Sequence, residues 1–195
     1  MSPRPMRAGV TTMSALSLAL APALALAGAL FLLTGCEEQG GDPMQTVEYV
    51  DLDRFMGDWY VVAVIPTFIE KKAYNPVENY AMNPDGTIAT TFTFNEGALD
   101  GPKKTHRPTG FVLDRETNAR WGMQFIWPIK ADFRIIYLDP DYQFTVIGRA
   151  KRDYVWVMAR SPEFSDAEFE RMRAFVAGVG YDTSRLVRPE HGSGG

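Results

Sequence analysis

Short runs of Val, Ile, Thr, Phe, Tyr and Trp, separated by turn residues, make up most of the chain after residue 57. Runs of this length and spacing are typical of the strands of an all-β barrel or sandwich. Pairs such as Asp85-Gly86 and Pro140-Asp141 suit hairpin turns, so sequential antiparallel pairing is the simplest topology. We predict eight strands, near residues 58–66, 77–83, 86–95, 104–114, 119–127, 132–139, 142–149 and 153–160.

A helical hydrophobic period appears in this part of the chain only after residue 163. Ser165 and Glu168 stand at the N-cap and N3 positions of a capping box, and Gly178 or Gly180 can end the helix. We expect its apolar stripe to pack on the barrel wall, because a lone amphipathic helix must bury that face. The stripe consists of Phe169, Met172, Phe175, Val176 and Val179. The Gly-rich residues 189–195 are predicted to be disordered.

The first 35 residues have the pattern of a secretory signal peptide, with Arg4 and Arg7 followed by an apolar run. The run ends in Leu33-Thr34-Gly35-Cys36, which resembles the lipobox of bacterial lipoproteins. We therefore expect Cys36 to be lipidated and residues 36–45 to form a flexible polar tether. A transmembrane helix over residues 15–33 is the alternative, since that length just spans a bilayer. Glu37 after the cysteine resembles the outer-membrane sorting pattern, although an inner-membrane location stays open.

Composition narrows the classes of partner. The chain has 20 basic and 24 acidic residues, so it offers no electrostatic basis for binding nucleic acid. Two histidines and one cysteine leave too few ligands for a transition-metal site, and we expect neither a metal nor another cofactor.

Three ordered segments resemble the signatures of the lipocalin family, most closely those of bacterial outer-membrane lipocalin lipoproteins. Leu52 to Tyr60 contains Gly57-Asp58-Trp59, which resembles the Gly-x-Trp at the start of the first lipocalin strand. Leu138 to Tyr142, with Asp139, resembles the second signature, and Tyr154 to Arg160 resembles the third. The resemblance covers about residues 46–187, and we expect the barrel and its helix to form one domain over residues 46–188. It implies an eight-stranded up-and-down β-barrel with a C-terminal helix, in which Trp59 closes the floor and Arg160 lies across it and donates to nearby carbonyls.

An eight-stranded barrel can hold one small ligand, and strand alternation, with Trp59 facing inward, predicts which residues line it. The predicted lining is almost wholly apolar and suits an acyl chain. It consists of Val61, Ala63, Ile65, Tyr80, Met82, Ile88, Thr90, Phe92, Phe94, Thr109, Phe111, Leu113, Met123, Phe125, Phe144 and Val146.

The open mouth is predicted at the loop Pro66 to Tyr74 and at the turn around Trp127. Its apolar tips suit a lipid interface, and its lysines suit an anionic head group, although a solvated loop folded on itself is equally compatible. Glu78 is either a head-group contact or an exposed rim residue. The other mouth residues are Phe68, Ile69, Lys71, Lys72 and Trp127.

The resemblance and the lining together predict a protein that binds a fatty acid or lysophospholipid for storage or transport at the periplasmic side of the outer membrane. A lipid-modifying enzyme is the second hypothesis, but the sequence contains no Gly-x-Ser-x-Gly elbow and no predicted inward pair of carboxylates. A structural envelope lipoprotein with a filled barrel is the third. A homodimer stays open.

Overall fold

The computed structural model describes residues 43–192, and the Cys36 anchor and the predicted signal peptide lie outside them. Within the described residues, one compact unit contains all the strands and both hydrophobic clusters, as expected of a domain with its own core. No helix within the described residues is long and apolar enough to cross a membrane.

Nine strand segments and two helices follow one another along residues 43–192. Helix α1 (Leu52–Phe55) precedes the strands, helix α2 (Asp166–Gly178) follows them, and a 3₁₀ turn covers Thr183–Arg185. The strands are β1 (Gly57–Ile65), β2 (Ala73–Met82), β3 (Ile88–Glu96), β4 (Lys103–His106), β5 (Thr109–Val112), β6 (Arg120–Ile126), β7 (Ile129–Leu138), β8 (Phe144–Gly148) and β9 (Val155–Ala159).

The strands close into an antiparallel barrel. The hydrogen-bonded order is β2-β1-β9-β8-β7-β6-β5-β3, and pairing of β2 with β3 closes the ring. Segments β4 and β5 both pair with β3, and Arg107-Pro108 separates them, so together they form one barrel strand. The prediction of an eight-stranded antiparallel barrel with a C-terminal helix is confirmed.

An aromatic cluster closes the floor of the barrel. Asp51 caps α1 by accepting from the backbone N–H groups of Asp53 and Arg54, and the helix delivers Phe55 beneath the sheet. The Phe55 ring lies 5.1 Å from that of Trp59, 5.7 Å from Tyr80 and 5.4 Å from Trp121, measured between centroids. The Trp59 indole is fully buried and donates to the carbonyl of Phe55 at 2.8 Å.

Arg160 seals this floor from outside. Its guanidinium lies 3.8 Å from the centre of the Trp59 ring, a cation–π contact. It also donates to the carbonyls of Asp58 at 2.7 Å and Arg54 at 2.7 Å, joining α1, β1 and the end of β9. Gly57 has φ +94°, a backbone conformation that favours glycine.

The turn between β7 and β8 is tied to the same floor. Asp139 accepts from the backbone N–H groups of Asp141 and Phe144. Tyr142, at φ +59°, accepts from the backbone N–H of Asp51 through its hydroxyl and lies 4.0 Å beneath the Arg54 guanidinium.

Helix α2 packs on the outer wall and creates a second hydrophobic cluster there. The capping box forms as its sequence requires, with Ser165 accepting from the Glu168 N–H and Glu168 accepting from the Ser165 N–H. Met172 and Val176 are buried, and the rest of the stripe is partly buried against the same cluster. The outer faces of β1, β7, β8 and β9 are therefore apolar as well.

Four of the predicted lining residues do not face the interior, because the register shifts in β1 and because β8 is apolar on both faces. In β1 the register shifts between Val61 and Ala63, so the alternation reverses: Val61 and Val64 pack inside, while Ala63 and Ile65 belong to the outer cluster. Both faces of β8 are apolar, so its sequence does not show which residues face inward. Its outer face carries the predicted lining residues Phe144 and Val146, and its inner face carries Thr145 and Ile147.

The C-terminal segment is ordered as far as it is described. Val187 exchanges backbone hydrogen bonds with Val64 of β1, at 2.9 and 2.8 Å. His191 shares a 2.9 Å hydrogen bond with the carbonyl of Val61, and the Gly192 N–H donates to Asn75 of β2. The expected disorder therefore does not hold for residues 189–192.

Candidate functional site: a cavity inside the barrel

A cavity of about 340 Å³ lies inside the barrel above the aromatic floor. Pockets that hold small molecules measure about 300–1,000 Å³, so this cavity can take a slender ligand. The third hypothesis, a barrel filled by side chains, does not fit it.

The lower wall of the cavity is apolar and comes from six strands. Tyr80 of the floor cluster forms its base. The alternation of inward and outward residues along each strand correctly predicts Phe92, Met123 and Phe125 in this wall, although Phe125 is half exposed near the top of β6. The further apolar lining residues were not among those predicted from the sequence: Ala131, Phe133, Ile147, Trp156 and Met158.

Several other predicted lining residues face inward without reaching the cavity. These are Val61, Ile88, Thr90 and Phe94, all buried. Ile88 and Thr90 fill the space around the floor, because the closed end of a small barrel is packed solid, and Val61 belongs to the same hydrophobic cluster as Ile88. Phe94 lies nearer the mouth end of β3 and packs against Phe92 and His106.

The prediction of which β5 residues face inward is wrong. Met123 faces inward and pairs with Gly110, and a Cβ on Gly110 would meet Ile88 and the Met123 sulfur, so Gly110 occupies the inward position. Its neighbours on the strand, Thr109 and Phe111, therefore face outward, and the ammonium of Lys130 lies 3.5 Å from the centre of the Phe111 ring. Because glycine has no side chain, an inward glycine leaves no apolar residue from which the inward face of the strand could be predicted.

Leu113 and Met82 were also predicted to line the cavity, and both are exposed. Leu113 follows β5 on its outward face, and Met82 ends β2 beyond the floor. Neither lines the cavity. The alternation along a strand predicts which face of the sheet a residue lies on, but not its height along the barrel.

Loops at the end opposite the floor form the mouth. Thr67, Phe68, Ile69 and Glu70 reach the cavity from the loop between β1 and β2, and Ile126 reaches it from the end of β6. Phe68 is 80% exposed and Trp127 is 82% exposed, so both present aromatic surface to solvent. Trp127, Lys71 and Lys72 are exposed and do not line the cavity.

Three acidic residues line the cavity: Glu70, Glu78 and Asp132. Glu78 lies in the middle of β2, between Trp59 of β1 and Phe92 of β3, so it is not the rim residue that one interpretation expected. Glu70 folds in from the mouth loop and accepts from the Trp156 indole N–H at 2.6 Å and from the Thr67 hydroxyl at 2.8 Å. The sequence analysis found no inward pair of carboxylates because Glu70 belongs to no strand and parity does not reach it.

The environment of Glu78 favours its neutral form. Burial, and then the negative charge of Glu70, raise the pKa of the Glu78 carboxyl well above its usual range. Its Oε2 atom is buried and has no hydrogen-bond partner among residues 43–192.

Positive charge lies near the mouth, at the end of the cavity opposite the floor. Arg149 follows β8, lines the cavity and forms an ion pair with Asp153 at 3.2 Å. Its Nε is buried without a partner in the described part of the chain. The neighbouring Asp132 is held by Arg134 at 3.0 Å and by the Ala150 N–H at 2.7 Å. Arg149 sits in a turn, so no periodicity identifies it.

Within residues 43–192 no cluster of His, Cys, Asp and Glu has the grouping needed to hold a metal ion.

A family model described as a lipocalin-like domain matches residues 50–191, most of the chain. The chain belongs to the lipocalin-like family. This lipocalin is 29% identical over 152 residues to temperature-induced lipocalin-1 of Arabidopsis thaliana, an alignment that covers 73% of this chain and 80% of the relative. It is 26% identical over 173 residues to the outer membrane lipoprotein Blc of Escherichia coli K12, covering 86% and 95% of the two chains.

Solved structures agree with the fold of this lipocalin. Insecticyanin from the tobacco hornworm superposes with a TM-score of 0.61 at 13% identity, covering 77% of this chain and 85% of the other. Apocrustacyanin C2 superposes with a TM-score of 0.57 at 14% identity, covering 73% and 81%. Family membership and the apolar cavity together indicate binding of a small hydrophobic ligand.

Proposed function

We propose that this lipocalin binds an acyl lipid, a fatty acid or a lysophospholipid, in the barrel cavity and stores or carries it at the periplasmic side of the outer membrane. The observation that supports this most is a cavity with an apolar wall, a closed floor and one mouth. An acyl tail needs that shape, because it offers methylene surface along its length and nothing polar at its end.

The apolar wall can supply the affinity. Burying a twelve-carbon tail at about 0.8 kcal/mol per methylene gives an upper limit near 10 kcal/mol. Loss of translational freedom and ordering of the chain reduce this gain, so a dissociation constant in the micromolar range is expected.

The head group belongs at the mouth. Arg149 lines the cavity there and keeps a buried Nε donor without a partner among the described residues. A guanidinium suits a carboxylate or phosphate because it presents several N–H donors in a fixed plane. Lys71 and Lys72 are exposed on the adjoining loop and add positive potential.

Membrane attachment would come from two features. Cys36, outside the described residues, would carry the lipid anchor. The exposed mouth residues Phe68, Trp127 and Ile129 would lie against the membrane interface, where aromatic side chains are favoured. The name of the Escherichia coli relative, an outer membrane lipoprotein, supports the same location.

The carboxyl groups in the cavity do not favour an enzyme. Both oxygens of Glu70 already accept hydrogen bonds, from Trp156 and from Thr67, and neither a serine nor a cysteine lies among the residues that line the cavity. We therefore propose a binding protein.

Ligand binding is tested with residues 36–195 carrying Cys36→Ser, delipidated and titrated with palmitate and with lysophosphatidylcholine. Ala131→Trp should weaken binding at least tenfold, because the indole would occupy the cavity that Ala131 lines. Ala81→Trp is the matched control, since Ala81 is exposed on β2 and should leave affinity unchanged. Native mass spectrometry that finds only empty parent protein under lipid excess, or equal affinity in Ala131→Trp, would refute the proposal.

A further inference from the structure

The cavity contains one polar group that an unsubstituted acyl chain cannot satisfy. The Glu78 side chain lines the apolar lower half, and its Oε2 is buried without a partner among residues 43–192. Glu78 lies two residues from Tyr80 on the same strand face, so it sits one pleat above the floor. A buried polar group without a partner destabilises a protein, and a ligand that pairs with it gains affinity.

No neighbouring side chain is placed to satisfy this carboxyl. Glu70 acts on Glu78 through its charge, but its Oε1 accepts from Trp156 and its Oε2 accepts from Thr67. His106 also lines the cavity, where its ring stacks on Phe92. The backbone of β2 at Glu78 pairs with Trp59 and with Phe92, whose side chains offer the Glu78 carboxyl no hydrogen bond. Because Glu78 lines the cavity, its carboxyl group lies within reach of a ligand, although Oε2 itself is shielded by the surrounding side chains.

The charges around Glu78 select the chemistry of its partner. A ligand carboxylate at this depth would meet the negative charge of Glu70 and would lose its hydration. A ligand ammonium would require Glu78 to ionise, against the burial that raises the pKa of its carboxyl. A neutral carboxyl offers one O–H donor and one acceptor, which match a hydroxyl or a carbonyl group.

We propose that Glu78 is a subsite for a neutral hydrogen-bonding group on the acyl chain, so that this lipocalin prefers hydroxylated or otherwise oxygenated acyl lipids over unsubstituted ones. The inference rests on the proposed function, since it places the tail inside and the anionic head group at the mouth beside Arg149. Because Glu78 lies just above the floor, the oxygen belongs in the half of the chain nearer the methyl end.

The test compares stearate, 2-hydroxystearate and 12-hydroxystearate on delipidated residues 36–195 carrying Cys36→Ser, by competition with a fluorescent fatty acid. We expect 12-hydroxystearate to bind the parent about fivefold to tenfold more tightly than stearate, the gain of one net hydrogen bond. We expect 2-hydroxystearate to show no gain, because its hydroxyl stays at the mouth.

Two variants assign the preference to the side chain. Glu78→Gln keeps a donor and an acceptor and should retain the preference for 12-hydroxystearate. Glu78→Leu should abolish that preference while binding stearate at least as tightly as the parent. The comparison on the parent protein decides the outcome even if a variant folds poorly.

The results separate the two proposals. Equal affinity for all three acids, with stearate still bound, overturns the Glu78 subsite and leaves the carrier function intact. A preference that persists in Glu78→Leu, or tighter binding of octadecylamine that is lost in Glu78→Gln, also overturns it. Failure of the parent to bind any of the acids would refute the acyl-lipid function itself.

Discussion

Replacing Trp59 by Ala tests the floor of the barrel. The indole is fully buried, and a Trp to Ala change in a core costs about 3–5 kcal/mol. Loss of the Arg160 cation–π contact adds about 1 kcal/mol. The Phe55 carbonyl loses the indole N–H but keeps the Arg160 guanidinium at 3.2 Å, so no unpaired acceptor adds to the cost. We expect a total near 4–6 kcal/mol, a large share of the roughly 5–15 kcal/mol that stabilises a typical domain.

Trp127→Ala is the matched control, because it makes the same chemical change at a site that is 82% exposed. Its free energy of unfolding should change by no more than about 0.5 kcal/mol. Urea unfolding of residues 36–195 followed by far-ultraviolet circular dichroism measures both variants, since indole fluorescence would change with the substitutions themselves. The midpoint should fall in Trp59→Ala at a similar slope. Equal midpoints for the two variants, or a loss below about 1 kcal/mol in Trp59→Ala, would refute the floor described here.

Two further predictions concern charge and membrane attachment. Glu78→Gln should stabilise the fold at pH 7, because an amide does not ionise and so avoids the cost that burial places on the charged carboxyl. A raised pKa in the folded state means that stability falls as pH rises above the unfolded value, so this gain should vanish near pH 4 and the exposed Glu48→Gln should show none. A gain that is constant with pH would contradict the assigned environment. Cys36→Ser in the full chain should move the protein out of the membrane fraction, and adding Trp127→Ala should weaken its remaining binding to anionic vesicles. Unchanged fractionation would argue for a transmembrane segment instead of a lipid anchor.

Strand spacing and turn chemistry were enough to predict the architecture from the sequence. The eight strands lie close to their expected positions, because antiparallel hairpins carry local turn signals. Helix α2 begins at its capping box for the same reason: Ser165 and Glu168 act within four residues of each other.

The side-chain lining was harder to predict, because it depends on contacts distant in sequence. The bulge near Val62 reverses the faces of β1, and no local residue pattern announces it. The outer face of β8 is as apolar as its inner face only because helix α2 covers it. Parity works where one face meets solvent, as at Met123 and Phe125 of β6, whose other face is polar at Arg120 and Gln124.

The C-terminal residues show a similar limit. His191 and Gly192 look like a flexible end by composition, yet they hydrogen-bond to β1 and β2. Nothing in five residues rich in glycine predicts a partner more than a hundred positions earlier in the chain.

The contact of Arg160 with Trp59 closes one end of the barrel and so determines how ligands can be exchanged. With one end of the barrel sealed, an incoming molecule cannot displace the resident one from behind, and both must use the same opening. Release should therefore come first, and the rate at which a bound ligand leaves should not depend on how much competitor is present. A binding protein built in this way loads and unloads according to what its single opening faces.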